Sequence, residues 1–277
     1  MFSGIRFPLK TAGFLGWTVA LYAALEAQTA LSPASMQAEL VKTWQHRYGL
    51  GLLRIFGVEV EPAGPGLAVG TRYPGTDAAG KGRIFVMNHR TALDIFVSLA
   101  FCEATIVSRA DLAGWPVIGA AARRVGTLFV DRASRQSGAT VVNAMVGALQ
   151  QGRGVMIFPE GTTYQGDEVR PFHPGAFHAA LRTGAEIVPL GLAYAREEFA
   201  FGDEAFSTHM KRVAAEPTIG AALQAGEPVH GERGESVEHL RDRVHARVQA
   251  LVTAARARLQ GAPIATRGES STHSVDN

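Results

Sequence analysis

Short, uninterrupted apolar runs recur through the middle of the chain, and they constrain its fold more than any other feature. They stand at 83–87, 104–108, 125–132, 154–161 and 186–194. The intervening segments of helical length and composition are 91–101, 137–152 and 175–184. Strands that are apolar at nearly every position are usually covered on both faces. The pattern therefore predicts the α/β class, with a mixed, largely buried sheet flanked by helices.

Composition excludes several classes of protein. The chain has 277 residues, 47% of them hydrophobic, which is enough for a sizeable core and argues against wholesale disorder. A net charge of +2 predicts no nucleic-acid partner. The segment 81–135 is locally basic, with eight Lys or Arg against four Asp or Glu, which suits an anionic ligand or membrane surface. A single cysteine, Cys102, permits no intrachain disulfide and is expected to be a small buried hydrophobe.

The N-terminus carries an apolar stretch that indicates contact with a membrane. Residues 11–25 follow Arg6 and Lys10 and contain no charge. Fifteen residues fall short of the roughly 20 that span a bilayer, and no clear cleavage site follows as in a signal peptide. An uncleaved anchor that enters the bilayer is favoured, with a buried helix of a soluble protein as the alternative. If the segment spans, its positive flank predicts a cytoplasmic N-terminus.

Two further amphipathic helices and a tail complete the organisation. Residues 35–57 repeat apolar positions every three or four residues beside a basic side, which suits a membrane-surface helix, the favoured interpretation, or a helix packed on a core. Residues 236–260 repeat the same pattern. The predicted division is membrane-anchoring helices in 1–57, a folded domain in 58–260 that begins with a Gly- and Pro-rich linker, and a disordered tail in 261–277.

The stretch NHRTALD, residues 88–94, places a histidine and an aspartate between a strand and a helix. If the strand ends at Met87 and the helix begins near Thr91, Asp94 lies in the first helical turn and reaches back to His89. A carboxylate on one imidazole nitrogen raises the basicity of the other, so the pair could act as a general base. The alternative is an ordinary turn with Asp94 near a helix N-terminus, and so short a motif alone favours that alternative.

Two other stretches could bind an anionic or polar ligand. FPEGTT, residues 158–163, enters a tight turn in which Glu160 could accept a hydrogen bond from a substrate hydroxyl or hold an arginine. Gly161 permits close backbone approach, and Thr162 adds a hydroxyl. Arg132, at the end of the apolar run 125–132, could bind phosphate. A surface turn and a solvated Asp-Arg pair are the respective alternatives.

Other chemistries find little support in the sequence. G-x-S-x-G is absent, so a serine hydrolase lacks its nucleophile, and the phosphate-binding G-x₄-G-K-[ST] is absent too. His173 and His178 are five residues apart without a convincing third ligand for zinc. No metal site is predicted.

Four motifs in order resemble the glycerophospholipid acyltransferase family, the 1-acylglycerol-3-phosphate O-acyltransferases and their relatives. NHRTALD is similar to the family's N-H-x₄-D block, and residues 108–132, with Pro116, Gly119 and the closing FVDR, are similar to its second block. FPEGT and IVPLGL, residues 187–192, are similar to the third and fourth. The resemblance runs over roughly residues 80–195, and the order of the motifs makes it specific.

The resemblance implies roles and partners. His89 would deprotonate the acceptor hydroxyl and Asp94 would orient it, and the hydroxyl oxygen would attack an acyl-CoA or acyl-carrier-protein thioester without a covalent acyl-enzyme. No cofactor and no metal are implied. The family's N-terminal helices sit in one membrane leaflet, so the expected location is the cytoplasmic side of the inner membrane. The residues implied in substrate binding are Asn88, Arg90, Arg132, Glu160, Gly161 and Thr162.

The acceptor is the least specified partner. The prediction is a membrane-associated O-acyltransferase of lysophospholipids, with 1-acyl-sn-glycerol-3-phosphate as the first acceptor. Thr163 stands where many lysophosphatidate enzymes carry arginine, and Val169, Pro171 and Phe172 are more similar to relatives that acylate other lysolipids, including lyso-ornithine lipid. An acyltransferase for another lysolipid is therefore one alternative. A membrane protein that binds acyl-CoA or lipid without turnover is another, and a lipid hydrolase is disfavoured.

Overall fold

A computed structural model describes residues 3–130 and 135–261. The helices are α1 (Ser3–Leu31), α2 (Gln37–Phe56), α3 (Leu93–Phe101), α4 (Ile118–Arg124), α5 (Arg135–Gln150), α6 (Gly175–Thr183), α7 (Phe206–Ala215) and α8 (Val237–Gly261). The strands are β1 (Val58–Ala63), β2 (Ile84–Met87), β3 (Thr105–Arg109), β4 (Leu128–Val130), β5 (Val155–Ile157), β6 (Ile187–Tyr194) and β7 (Ile219–Ala225). The predicted tail beyond residue 261 lies outside the described residues.

The strands form one seven-stranded sheet in the order β1-β7-β6-β2-β5-β3-β4. Every neighbouring pair is parallel except β6 and β7, which are antiparallel. The predicted mixed sheet flanked by helices is confirmed. Since β2 is central, the chain that leaves its carboxyl end emerges in the middle of one edge of the sheet, where open α/β sheets bind ligands.

Side-chain alternation along β2 divides the core into two layers. Phe85 and Met87 face a cluster that includes residues of α2, α3 and α7, whereas Ile84 and Val86 face α5, α6 and α8. All four side chains are fully buried. Helices therefore cover both faces of the strand, which explains why its sequence is apolar at every position.

Pro189 lies in an interior strand, where proline is rare because it has no N–H to donate to a neighbouring strand. β6 lies between β7 and β2, in the interior of the sheet. The carbonyl of Pro189 accepts the Gly226 N–H at 3.0 Å, so the proline nitrogen faces β7 and not β2. Paired positions with β7 begin only at Leu190, and the missing N–H therefore removes no ladder bond.

The sequence did not predict α4, α7 or β7, and β1 begins the segment that was predicted to be a Gly- and Pro-rich linker. β7 reads IGAALQA, which lacks the β-branched and aromatic residues typical of strands, and yet it is almost wholly buried between β1 and β6. Its position is decided by tertiary packing rather than by local preference.

The N-terminal helices pack on the body of the protein. α1 is longer than the apolar stretch that predicted it, and Arg6 and Lys10 bond to carbonyls at the C-terminal ends of α7 and α2. Leu52 and Leu53 of α2 are buried in the same cluster as α3, so α2 contributes to the core. Among the described residues, no helix combines the length and apolarity that crossing a membrane requires.

Candidate active site

His89 and Asp94 meet at the carboxyl end of β2. His89 follows the strand by two residues, and Asp94 is the second residue of α3. Nδ1 of His89 lies 2.8 Å from Oδ2 of Asp94, which confirms the predicted contact. Asp94 is fully buried, while the His89 side chain is 15% exposed. Because a carboxylate oxygen only accepts, the contact favours the tautomer with hydrogen on Nδ1 and leaves Nε2 as the basic nitrogen.

Four donors surround the carboxylate of Asp94. Oδ2 also accepts the backbone N–H groups of Arg90 at 2.5 Å and Thr91 at 3.0 Å, and Oδ1 accepts the Tyr194 hydroxyl at 2.7 Å. Burial, reinforced by the negative charge of Asp94, raises the pKa of Tyr194 well above its usual value. The phenol therefore stays a donor at neutral pH. The arrangement holds both oxygens of Asp94 in one orientation toward His89.

A buried ion pair supports the same loop from the other side. Glu160 accepts the backbone N–H of His89 at 2.7 Å, the guanidinium of Arg90 at 3.2 Å and the backbone N–H of Arg170 at 2.9 Å. Arg90 also donates to the carbonyl of Glu168 at 3.0 Å. Of the two roles open to Glu160, the structure therefore shows the one in which it holds an arginine. Removing one partner of such a buried pair typically lowers the stability of the fold by about 3–5 kcal/mol.

Asn88 links the loop to strand β6. Its amide nitrogen donates to the carbonyl of Leu192 at 2.9 Å, and its amide oxygen accepts the Leu192 N–H at 2.8 Å. Asn88 is fully buried, and Arg90 is nearly so. Direct substrate binding by these two side chains stays a prediction, and what the structure shows is that both hold the loop that carries His89.

The FPEGT turn places Gly161 beside a second histidine. Gly161 has φ +79°, and a Cβ atom there would lie 2.7 Å from Nε2 of His173, so only glycine fits without movement. Thr162 is exposed next to it. Arg132 lies outside the described residues. The predicted contacts of these residues with substrate stay predictions.

A buried histidine of α7 supports the loop through Thr91. His209 of α7 is fully buried, and its Nε2 lies 2.7 Å from the Thr91 hydroxyl. Its Nδ1 lies 3.2 Å from Glu204, which also bonds to Arg212. Burial, with the positive charge of Arg212, lowers the pKa of His209. A neutral imidazole therefore ties α7 to the same turn whose N–H groups hold Asp94.

His89 opens into a cavity of about 750 Å³. The His89 ring stacks on Phe158, with ring centroids 4.3 Å apart. Much of the wall is apolar and includes Ile95, Ile106, Leu112 and Met145. A cavity of this size and character is typical of small-molecule sites. It places an apolar chain and the basic nitrogen of His89 within one space.

The geometry suits proton abstraction from a hydroxyl. The site has the features of a general base. Asp94 fixes the tautomer of His89 from its buried side, and Nε2 of His89 faces the apolar cavity. Within the described residues, three or more His, Cys, Asp or Glu side chains do not come together in a way that could hold a metal ion. Cys102 is buried, as expected, and burial raises the pKa of its thiol.

Tyr194 and His209 are the supporting residues that sequence reasoning did not find. Tyr194 closes the apolar run 186–194, and a phenol at the end of a buried strand needs a polar partner, which is a usable signal. His209 stands in a segment with no strong periodicity, and no sequence signal connects it to Thr91, 118 residues away.

Known proteins with similar sequences are acyltransferases. The Acyltransferase family model matches residues 72–193. The chain is 31% identical over 152 residues to lyso-ornithine lipid O-acyltransferase of Pseudomonas aeruginosa, covering 53% of this chain and 58% of that protein. It is 32% identical over 113 residues to 1-acyl-sn-glycerol-3-phosphate acyltransferase of Neisseria gonorrhoeae, covering 41% and 44%. The chain thus spans about half the length of these two relatives.

This chain aligns with a larger share of one other relative and of one solved structure. Lyso-ornithine lipid O-acyltransferase of Brucella abortus is 30% identical over 191 residues, which cover 62% of this chain and 72% of that protein. The crystal structure of the 1-acyl-sn-glycerophosphate acyltransferase of Thermotoga maritima superposes with a TM-score of 0.72 at 20% identity, covering 92% of this chain and 98% of that one. At that identity the likeness shows the fold.

Proposed function

The chain belongs to the acyltransferase family, and from this premise we propose that it transfers a fatty acyl group from an acyl thioester to the free hydroxyl of a lysolipid. The observation that carries the proposal is the contact of 2.8 Å between His89 and a buried Asp94, at the wall of an apolar cavity. A protein that only binds acyl chains has no need of a base held this way.

The proposed reaction proceeds by direct attack. Nε2 of His89 takes the proton of the acceptor hydroxyl as its oxygen bonds to the thioester carbonyl carbon. The tetrahedral intermediate collapses, the carbon–sulfur bond breaks, and the thiolate takes the proton from the imidazolium. Asp94 stabilises that imidazolium while it exists. Products are the acylated lipid and the free thiol, and no acyl-enzyme forms.

The apolar wall of the cavity supports a fatty chain as ligand. A buried methylene contributes about 0.8 kcal/mol to transfer from water. Residues such as Ile106, Leu112 and Met145 therefore suit an acyl chain whose thioester lies near His89.

Two acceptors compete within this proposal. Relatives named for 1-acyl-sn-glycerol-3-phosphate and for lyso-ornithine lipid are similar to this chain at nearly equal identity. 1-Acyl-sn-glycerol-3-phosphate is proposed first, because the segment 81–135 is basic. Thr163, in place of arginine, favours a less anionic headgroup.

Membrane association at the cytoplasmic side of the inner membrane is part of the proposal. α1 exposes apolar side chains that are 46–88% accessible, namely Ile5, Leu9, Leu15, Val19 and Leu31. Arg6 and Lys10 bond inward to backbone carbonyls, and Glu26, the third charged residue of α1, is paired with Arg124 at 2.6 Å. An exposed apolar face of this length suits insertion into one leaflet, where an amphiphilic acceptor would also be found.

The test measures acyl transfer directly. Purified protein is incubated with lysophosphatidate or lyso-ornithine lipid and with acyl-CoA or acyl-carrier protein, and the lipids are analysed by mass spectrometry. We expect His89→Ala to lower transfer by about 10²–10⁴-fold, the range for a general base. The control is His239→Ala, an exposed histidine of α8, and thermal unfolding confirms that both variants fold.

The other outcomes also discriminate. Full transfer by a folded His89→Ala variant would overturn the mechanism. Acyl release to water without an acceptor would assign a hydrolase, and stoichiometric binding without product would assign a binding protein.

A further inference from the structure

The cavity that contains His89 has a basic edge formed by His173, His178 and Arg182, named here the α6 rim. We infer that the α6 rim binds the phosphate of the acyl donor's phosphopantetheine arm, the group that acyl-CoA and acyl-carrier protein share. The inference rests on the proposed function and adds to it a site for the donor.

The cavity is lined by basic side chains and by no acidic ones among the described residues. Its described lining residues include five with basic side chains and none with a carboxylate. Besides the α6 rim these are His89 and Arg109. Arg109 is already paired with Asp111 through two bonds, at 3.0 and 3.1 Å. His89 is held by Asp94. The α6 rim therefore supplies the basic groups of this wall that have no carboxylate partner among the described residues.

Arg182 is oriented by a neutral partner. One guanidinium nitrogen donates to the amide oxygen of Asn143 on α5 at 2.8 Å, which holds the side chain at the α5–α6 seam without neutralising its charge. Its charge and its remaining N–H groups suit the oxygens of a phosphate.

The two histidines extend the same edge. His178 and Arg182 are four residues apart on α6, so they share one helix face. His173 precedes α6 and lies against Gly161, in the turn whose Glu160 holds the backbone of His89. An imidazole offers an N–H donor in either protonation state. Side chains that can donate a hydrogen bond are therefore placed from the proposed reaction centre, along α6, to the exposed side of the cavity.

This placement fits an extended thioester donor. The acyl chain suits the apolar wall, and the thioester must lie at His89. The pantetheine arm then leaves toward solvent and carries its phosphate to a point distant from the reacting carbon. An exposed edge that carries the charge of Arg182 and the N–H groups of two imidazoles matches that anion in charge and in position.

The experiment compares acyl donors that carry the nucleotide, the phosphopantetheine phosphate alone, or no phosphate. Acyl-pantetheine, acyl-4′-phosphopantetheine, acyl-CoA and acyl-carrier protein are compared as donors with wild type, Arg182→Gln and His178→Gln. The control is Arg247→Gln, an exposed helical arginine on α8 that does not line the cavity. Calorimetric titration with CoA and with pantetheine measures binding without turnover.

We expect Arg182→Gln to raise KM about 5–10-fold for the three phosphorylated donors, with kcat little changed, as for one charge at a rim. KM for acyl-pantetheine should not move, and neither should any constant of Arg247→Gln. The KM difference should shrink at high salt, because exposed charges are screened.

Three results would overturn the inference. Equal losses with acyl-pantetheine would show a general defect, and losses confined to acyl-CoA would assign the nucleotide phosphates instead. Equal affinity of wild type and variants for CoA would exclude phosphate binding at the rim. If wild type transfers no acyl group from any donor, the proposed function fails, and the CoA titration still decides whether the α6 rim binds phosphate.

Discussion

Replacing Tyr194 with phenylalanine removes one donor from Asp94 while keeping the ring in place. The hydroxyl bonds to Oδ1 at 2.7 Å, and a hydrogen bond to a charged group contributes about 1.5–3 kcal/mol. Asp94 keeps three other donors on Oδ2, so its orientation should weaken rather than be lost. If half of that energy is felt in the transition state, the rate falls about 4- to 13-fold, since 1.36 kcal/mol is one factor of ten.

The division of the effect between kcat and KM gives the sharper readout. The Tyr194 hydroxyl acts on His89 only through Asp94, so kcat and kcat/KM should fall together while KM stays near its wild-type value.

The assay is acyl transfer from a labelled thioester over a range of acceptor concentrations, with thermal unfolding as a check on folding. Tyr48→Phe is the matched control, since it removes a half-buried hydroxyl that bonds to Thr18 at 2.9 Å in the N-terminal helices. An unchanged kcat in a folded Tyr194→Phe variant would refute the reasoning, as would a loss confined to KM.

Three further outcomes follow from the structure. Gly161→Ala should lower kcat/KM about 10-fold or more, because of backbone strain at φ +79° and the contact with His173. Gly166→Ala is the control: Gly166 has the same φ but open space around it, so this variant should lower the melting temperature and leave kcat/KM unchanged. The pKa of His209 is lower in the folded protein than in the unfolded chain, so the free energy of unfolding should fall as the pH drops below about 6.5, by at most about 1.4 kcal/mol per pH unit. Urea titrations at several pH values measure this dependence, and His209→Gln should make it shallower. The same pH dependence in wild type and variant would contradict the assignment. Thr163→Arg should raise the ratio of lysophosphatidate to lyso-ornithine lipid turnover several-fold by mass spectrometry, and an unchanged ratio would show that charge at this position does not select the acceptor.

The proximity of His89 and Asp94 could be predicted because it is local. Five residues separate them, and a buried strand followed by a helix brings them to one turn. The confirmed strands and helices likewise follow from runs whose period or continuity is strong. β7 could not be predicted, because its Ala- and Gly-rich sequence acquires strand structure only from the strands that cover it.

The sequence by itself determined the local framework: alternating buried strands and helices, a histidine and an aspartate at the end of a buried strand, and an N-terminal helix with an uncharged apolar stretch. Only the tertiary structure decided how that pair is held. Glu160, Tyr194 and His209 reach the loop from positions 71 to 118 residues away along the chain. Such contacts depend on which strands are neighbours and on which helix covers each face. A one-dimensional pattern records hydrophobicity and spacing, but it does not record those neighbours.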